Sequence, residues 1–212
     1  MKLTLLCGSA MLVALAVPAL AAEPSGGQSG AAANAKYLGS RACMPCHRTA
    51  AQGNMYNLWL QSQHAAAYDT LASARAREVG HRAGVANPQS DEKCLRCHVT
   101  AFGVPAARKH SRFKQEEGVG CEACHGAGEL YKTKRVMCRL TAGEIAPASV
   151  GLTTPNEQVC VTCHNSQSPT WPGSFDYQEM VRKIAHPIPA ARKQKIRTEG
   201  CGGAGAEAEE EG

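Results

Sequence analysis

The chain has 212 residues, of which 43% are hydrophobic but only 5% aromatic and 19% charged, with 21 glycines and 11 prolines. That is enough chain for one ordinary domain, and the composition excludes collagenous, wholly disordered and multi-span membrane classes. The formal net charge of +5 raises nucleic-acid binding as a reading to be tested, and the eleven cysteines and eight histidines are the feature that needs explaining.

In chain order, residues 1–21 read as a signal peptide. Lys2 is a short positive start, Leu3 to Leu20 is uncharged and apolar, and Ala19-Leu20-Ala21 offers a small-x-small cleavage site. The apolar run is at the short limit for a span, which needs about 20 residues, and Pro18 before small residues fits cleavage better. Residues 22–36 read as a flexible leader and residues 37–190 as the ordered domain. Residues 191–212 read as a disordered tail, basic first and then acidic. The mature chain is then expected to have no membrane span and to lie in the periplasm, or at the outer surface of the cell.

Eight cysteines fall into four copies of one pentapeptide: Cys43 to His47, Cys94 to His98, Cys121 to His125 and Cys160 to His164. Each reads C-x-x-C-H, the attachment pattern of c-type haem. Cysteines at i and i+3 project from one side of a helical turn, where both can reach the vinyl groups on one porphyrin edge. The next residue is a histidine placed to ligate the iron. Zinc knuckles or disulfides would account for the paired cysteines but not for a histidine after every pair. The expected cofactors are therefore four covalently bound haems. Cys43, Cys46, Cys94, Cys97, Cys121, Cys124, Cys160 and Cys163 would make the thioethers, and His47, His98, His125 and His164 would be the proximal ligands.

Four histidines remain, His64, His81, His110 and His186, so one per haem is arithmetically possible. Met55, Met137 and Met180 are alternative ligands, with packing against a ring face as their competing role. If one haem lacks a second ligand, it is five-coordinate and open to small molecules. Thr154-Pro155-Asn156-Glu157 reads as a capping box before the fourth motif, and Ser90-Asp91-Glu92 as a cap before the second. Residues 55–77 form the longest helical stretch, and no strand is convincing. The fold class is mainly α: short helices and long loops wrapped around four closely packed haems, with little or no β-sheet.

The flanking residues resemble a known family. Trp59-Leu60-Gln61-Ser62-Gln63-His64-Ala65 resembles the W-x-x-S-x-H-A segment of the cytochrome c-554 family of multihaem cytochromes. Residues 94–103 and 118–128 resemble that family's second and third haem segments. The resemblance implies a helical tetrahaem electron carrier working between a redox donor and an acceptor protein. Related tetrahaem cytochromes polymerise, so a subunit of a haem filament is an alternative. Nitric oxide or nitrite reduction at an open haem is a second alternative, although every motif ends in histidine and no C-x-x-C-K occurs. Removal of Lys2 leaves +4, and eight propionates on four haems carry the holoprotein to near −4, which argues against nucleic acid as a partner. Cys138 and Cys201 are left over and could form a disulfide in an oxidising compartment.

Overall fold

The computed structural model describes residues 30–200. The signal peptide with Cys7 and the acidic tail with Cys201 lie outside the described residues. Eleven short α-helices occur among them, in the order α1 (Gly30–Asn34), α2 (Met44–His47), α3 (Met55–Leu60), α4 (Ala67–Thr70), α5 (Ala74–Arg82), α6 (Glu92–His98), α7 (Cys121–His125), α8 (Lys134–Ala142), α9 (Glu157–Val161), α10 (Tyr177–Ile184) and α11 (Ala190–Glu199). Single 3-10 turns lie between several of them. No strand occurs among the described residues, only an isolated bridge between Tyr37 and Lys109. The mainly α class is thus observed.

Local chemistry sets the helix starts. The side chains of Ser73, Asp91, Thr133, Asn156 and Asp176 each accept a backbone N–H of the first turn of α5, α6, α8, α9 and α10. Two of these caps differ from the sequence expectation. Asn156 caps α9 in place of Thr154, and Asp91 caps α6 in place of Ser90. In both cases the Asx residue directly precedes the first helical residue, so its side-chain oxygen reaches the free amides of the first turn.

Three further expectations are corrected. Residues 55–77 are not one helix: α3 ends at Leu60, and Ser62 Oγ donates to Trp59 O at 2.6 Å, folding the chain into a turn before α4. The leader is ordered from residue 30, because Ala32 and Ala35 are buried at 4% and 2% exposure, Ala32 against Gly151. The basic stretch 190–199 is helix α11, which packs along α8 and buries Ile196.

The apolar core is small. Leu71, Leu95 and Val99 form one cluster, flanked by Tyr68 and Cys94. Elsewhere polar clamps join distant segments. Glu122 is 2% exposed, and its carboxylate accepts the backbone N–H groups of Leu38 (2.9 Å), Gly39 (2.8 Å) and Gly128 (2.7 Å). The third motif is thereby tied to the start of the domain. Glu122→Ala would strand three buried amides without an acceptor, each costing about 1–3 kcal/mol. A large fall in the urea midpoint of unfolding is expected, with a smaller one for Glu122→Gln; equal midpoints for wild type and Glu122→Ala would contradict this role.

Candidate haem-attachment sites

Each C-x-x-C-H segment forms a helical turn, as the spacing requires. Met44–His47 and Cys121–His125 are helices in themselves, and the second motif ends α6. The fourth leaves α9 with His164 N donating to Cys160 O at 2.9 Å. All eight motif cysteines are free thiols, available for thioether formation.

The thiols of different motifs meet. Cys43 and Cys121 are hydrogen-bonded, which raises the pKa of Cys43 and lowers that of Cys121. Burial, followed by the neighbouring Cys160, pushes Cys124 up to about 11. Burial, followed by Cys163, pushes Cys97 up to about 11. Thiol hydrogen bonds therefore join the first motif to the third and the second to the fourth, and Cys124 of the third lies near enough to Cys160 of the fourth to feel its charge.

The histidines show which nitrogen is available for a metal. His98 Nδ1 lies 2.7 Å from Ala67 O, His125 Nδ1 3.1 Å from Thr153 O, and His186 Nδ1 2.8 Å from Ile184 O. A carbonyl can only accept, so each Nδ1 carries the hydrogen and each Nε2 keeps its lone pair. Two spare histidines are brought to motif histidines. The His64 and His164 rings have centroids 6.0 Å apart, and those of His125 and His186 lie 6.1 Å apart. A metal–imidazole bond is about 2 Å long, and a ring nitrogen is about 1 Å from its centroid, so one ion between two imidazoles spaces the centroids by about 6 Å. Donor type, tautomer and spacing fit a bis-histidine haem iron at the His125–His186 pair, and donor type and spacing fit one at the His64–His164 pair.

The remaining candidates lie elsewhere. His81, in α5, is exposed, and His110 accepts Arg112 N–H at Nδ1. Among the described residues neither makes a ring contact with a motif histidine. Met55 Sδ sits 3.1 Å from His47 Nδ1, on the opposite side of that ring from Nε2, so it packs behind the proximal histidine. Met180 is 39% exposed with its sulfur towards Lys183, and Met137 lies half-buried in α8.

Second-layer groups hold these rings. Trp59 Nε1 donates to Val119 O at 2.9 Å, and Val119 N donates to His64 O at 3.0 Å. The W-x-x-S-x-H-A segment is thus a turn laced to the third motif's leading loop. Phe175 stacks on His164, with centroids 4.8 Å apart. Burial, followed by a neighbouring histidine, lowers the pKa of His47 and of His64, and burial is the first cause at His125 as well. A folded-state pKa below 6.5 means that the unfolded chain binds more protons at these sites once the pH drops past that value. Stability is therefore expected to decline as pH falls below 6.5, and substituting His64 should flatten that dependence in denaturant titrations at several pH values; an unchanged slope would contradict it.

The chain can now be compared with known proteins. The family described as cytochrome c554 and c-prime matches residues 42–126, which hold three of the four motifs. Cytochrome c-554 of Nitrosomonas europaea is 29% identical over 212 aligned residues, covering 87% of this chain and 85% of that protein. Over these residues the chain is similar to the cytochrome c-554 family. That likeness supports a c-type cytochrome with covalently bound haem that carries electrons. No solved structure matches the chain. No helix among the described residues is long and apolar enough to cross a membrane.

Proposed function

We propose that the protein is an exported, periplasmic tetrahaem cytochrome that passes electrons between two redox proteins. Residues 37–190 hold the haems, and the order of the motifs in space sets the electron path. The carrying observation is the pairing of His64 with His164 and of His186 with His125 at the spacing of a bis-histidine iron. Cys43/Cys46, Cys94/Cys97, Cys121/Cys124 and Cys160/Cys163 hold the four haems, with His47, His98, His125 and His164 as proximal ligands. Each haem, when bound, supplies one reversible one-electron centre.

The chain's own residues do the rest. Thr153 O, Ala67 O and Ile184 O accept the Nδ1–H of His125, His98 and His186, which orients each ring and strengthens its Nε2 as a donor. Cys43 with Cys121, and Cys163 with Cys97, bring two pairs of motifs within contact, and Cys124 feels the charge of Cys160 across the third and fourth, so the four attachment segments lie close together. The sparse protein core is completed by apolar porphyrin faces, which explains a 212-residue chain with only 5% aromatics.

A second reading, reduction of nitric oxide or nitrite, attaches to His98. Its Nδ1 is held by Ala67 O, and no second histidine ring contacts it among the described residues. Two measurements test these readings together. Intact-protein mass is expected to show four haems, and mixing with nitric oxide or nitrite is expected to leave the electron count unchanged over many cycles. Fewer haems would overturn the tetrahaem reading, and steady consumption of either molecule would overturn the carrier role in favour of an enzyme.

A further inference from the structure

Among the described residues, one charged side chain is fully buried: Glu122, at 2% exposure. It stands between Cys121 and Cys124, inside the third attachment motif. The same two positions hold Met44 and Pro45 in the first motif, Leu95 and Arg96 in the second, and Val161 and Thr162 in the fourth. Arg96 is exposed and donates to Gln167 Oε1, so solvent screens its charge. A buried charge inside the attachment motif is therefore particular to the third haem.

Backbone dipoles hold this charge, not a counter-ion. Glu122 makes no ion pair with another described residue. Leu38 N donates to both carboxylate oxygens at 2.9 Å, Gly39 N to Oε2 at 2.8 Å and Gly128 N to Oε1 at 2.7 Å. Gly128 comes this close because it has no side chain: a Cβ there would lie 3.0 Å from Oε1. Burial, the larger effect, raises the pKa of the carboxyl, and the backbone donors pull it down. All three partners are donors, so a proton on either oxygen would find no acceptor, and the cage fits the carboxylate form.

We propose that Glu122 tunes the third haem electrostatically, holding it at the lowest potential of the four, so that it is the last to be reduced and the first to give up its electron. This role rests on the carrier reading with four haems. The redox step moves one electron and no proton. With neutral imidazoles from His125 and His186 as ligands, the ferric centre carries one more positive charge than the ferrous one. A carboxylate without a counter-ion in a low-dielectric site stabilises that extra charge and so opposes reduction. At an effective dielectric of about 20, a unit charge on the order of 10 Å away shifts such an equilibrium by roughly tenfold. An exposed carboxylate loses most of this effect to solvent and salt.

The test uses the holoprotein and reads potentials. In wild type, nuclear magnetic resonance of the haem methyl groups is followed through a stepwise reduction, with the third haem assigned by its contacts to Cys121, Cys124 and His125. The third haem is expected to be reduced last; any other haem in last place would overturn the proposal, whether or not a variant folds. Glu122→Gln should make the third haem about tenfold easier to reduce, an upward shift of about 59 mV for a one-electron centre, with smaller shifts at the other three. Glu122→Asp keeps the charge on a shorter side chain, so it should weaken the fold but leave that potential near the wild-type value. Glu116→Gln removes an exposed charge from the turn before the same motif and should move none of the four. No shift in Glu122→Gln, or equal shifts in Glu122→Gln and Glu122→Asp, would overturn the proposal. Failure of the carrier reading would show separately, as fewer than four haems or four electrons in wild type.

Discussion

His186→Ala is expected to convert one low-spin haem into a five-coordinate, high-spin one. His186 lies between α10 and α11 with its Nδ1–H on Ile184 O and its ring 6.1 Å from that of His125. Its removal leaves His125 and the thioethers of Cys121 and Cys124 in place, so the haem remains but loses one axial donor. The oxidised electron paramagnetic resonance spectrum should gain a high-spin signal equal to one haem and lose one low-spin signal. Added imidazole should restore the original spectrum, because it fits the space the side chain vacated. An unchanged spectrum would show that His186 is not a ligand. Its backbone support points the same way: a Cβ on Gly53 would lie 2.9 Å from Pro187 O and 3.3 Å from Pro189 Cδ, so the glycine lets the first motif's loop lie against the segment carrying His186.

Gly118→Ala is expected to produce the second large effect, at a different haem. Gly118 has φ 69 and ψ −139, a conformation essentially reserved for glycine. A Cβ there would lie 2.7 Å from His64 O and 2.9 Å from Ala65 O. Both are backbone atoms and cannot swing aside, so the turn carrying His64 must shift. Backbone strain and the clash together are expected to cost about 3 kcal/mol. The denaturant midpoint should fall, and a high-spin signal should appear as His64 moves off the position facing His164. Gly103→Ala is the matched control: φ is 73 but a Cβ there meets nothing within 4 Å. It should cost only the left-handed penalty of about 1–2 kcal/mol, with no change of spin state. Equal effects for the two variants would contradict the clamp.

The four C-x-x-C-H segments were legible because the pattern fixes three residues within a run of five, and no tertiary information enters. Helix starts were legible to within one or two residues, since Asn156 and Thr154, or Asp91 and Ser90, offer similar oxygens and only chain geometry decides between them. The break at Leu60 escaped periodicity because it depends on Ser62 turning back to Trp59. Order at α1 and α11 escaped composition because Ala32 and Ile196 are buried by segments remote in sequence, Gly151 and α8. The candidate distal histidines could be counted but not paired, because pairing is a matter of tertiary approach. Thr153, Ala67 and Ile184 had no signal at all, since they act through their carbonyls and any side chain would serve. Phe175 could have drawn notice as one of only three phenylalanines in the chain.

The central claim is that this chain carries electrons on four haems without turning over a substrate. A spectroelectrochemical titration of the purified holoprotein tests it most directly. Four electrons taken up and returned per chain, with reductive and oxidative curves superimposed, is the predicted result; fewer than four electrons, or curves that fail to retrace, would contradict it.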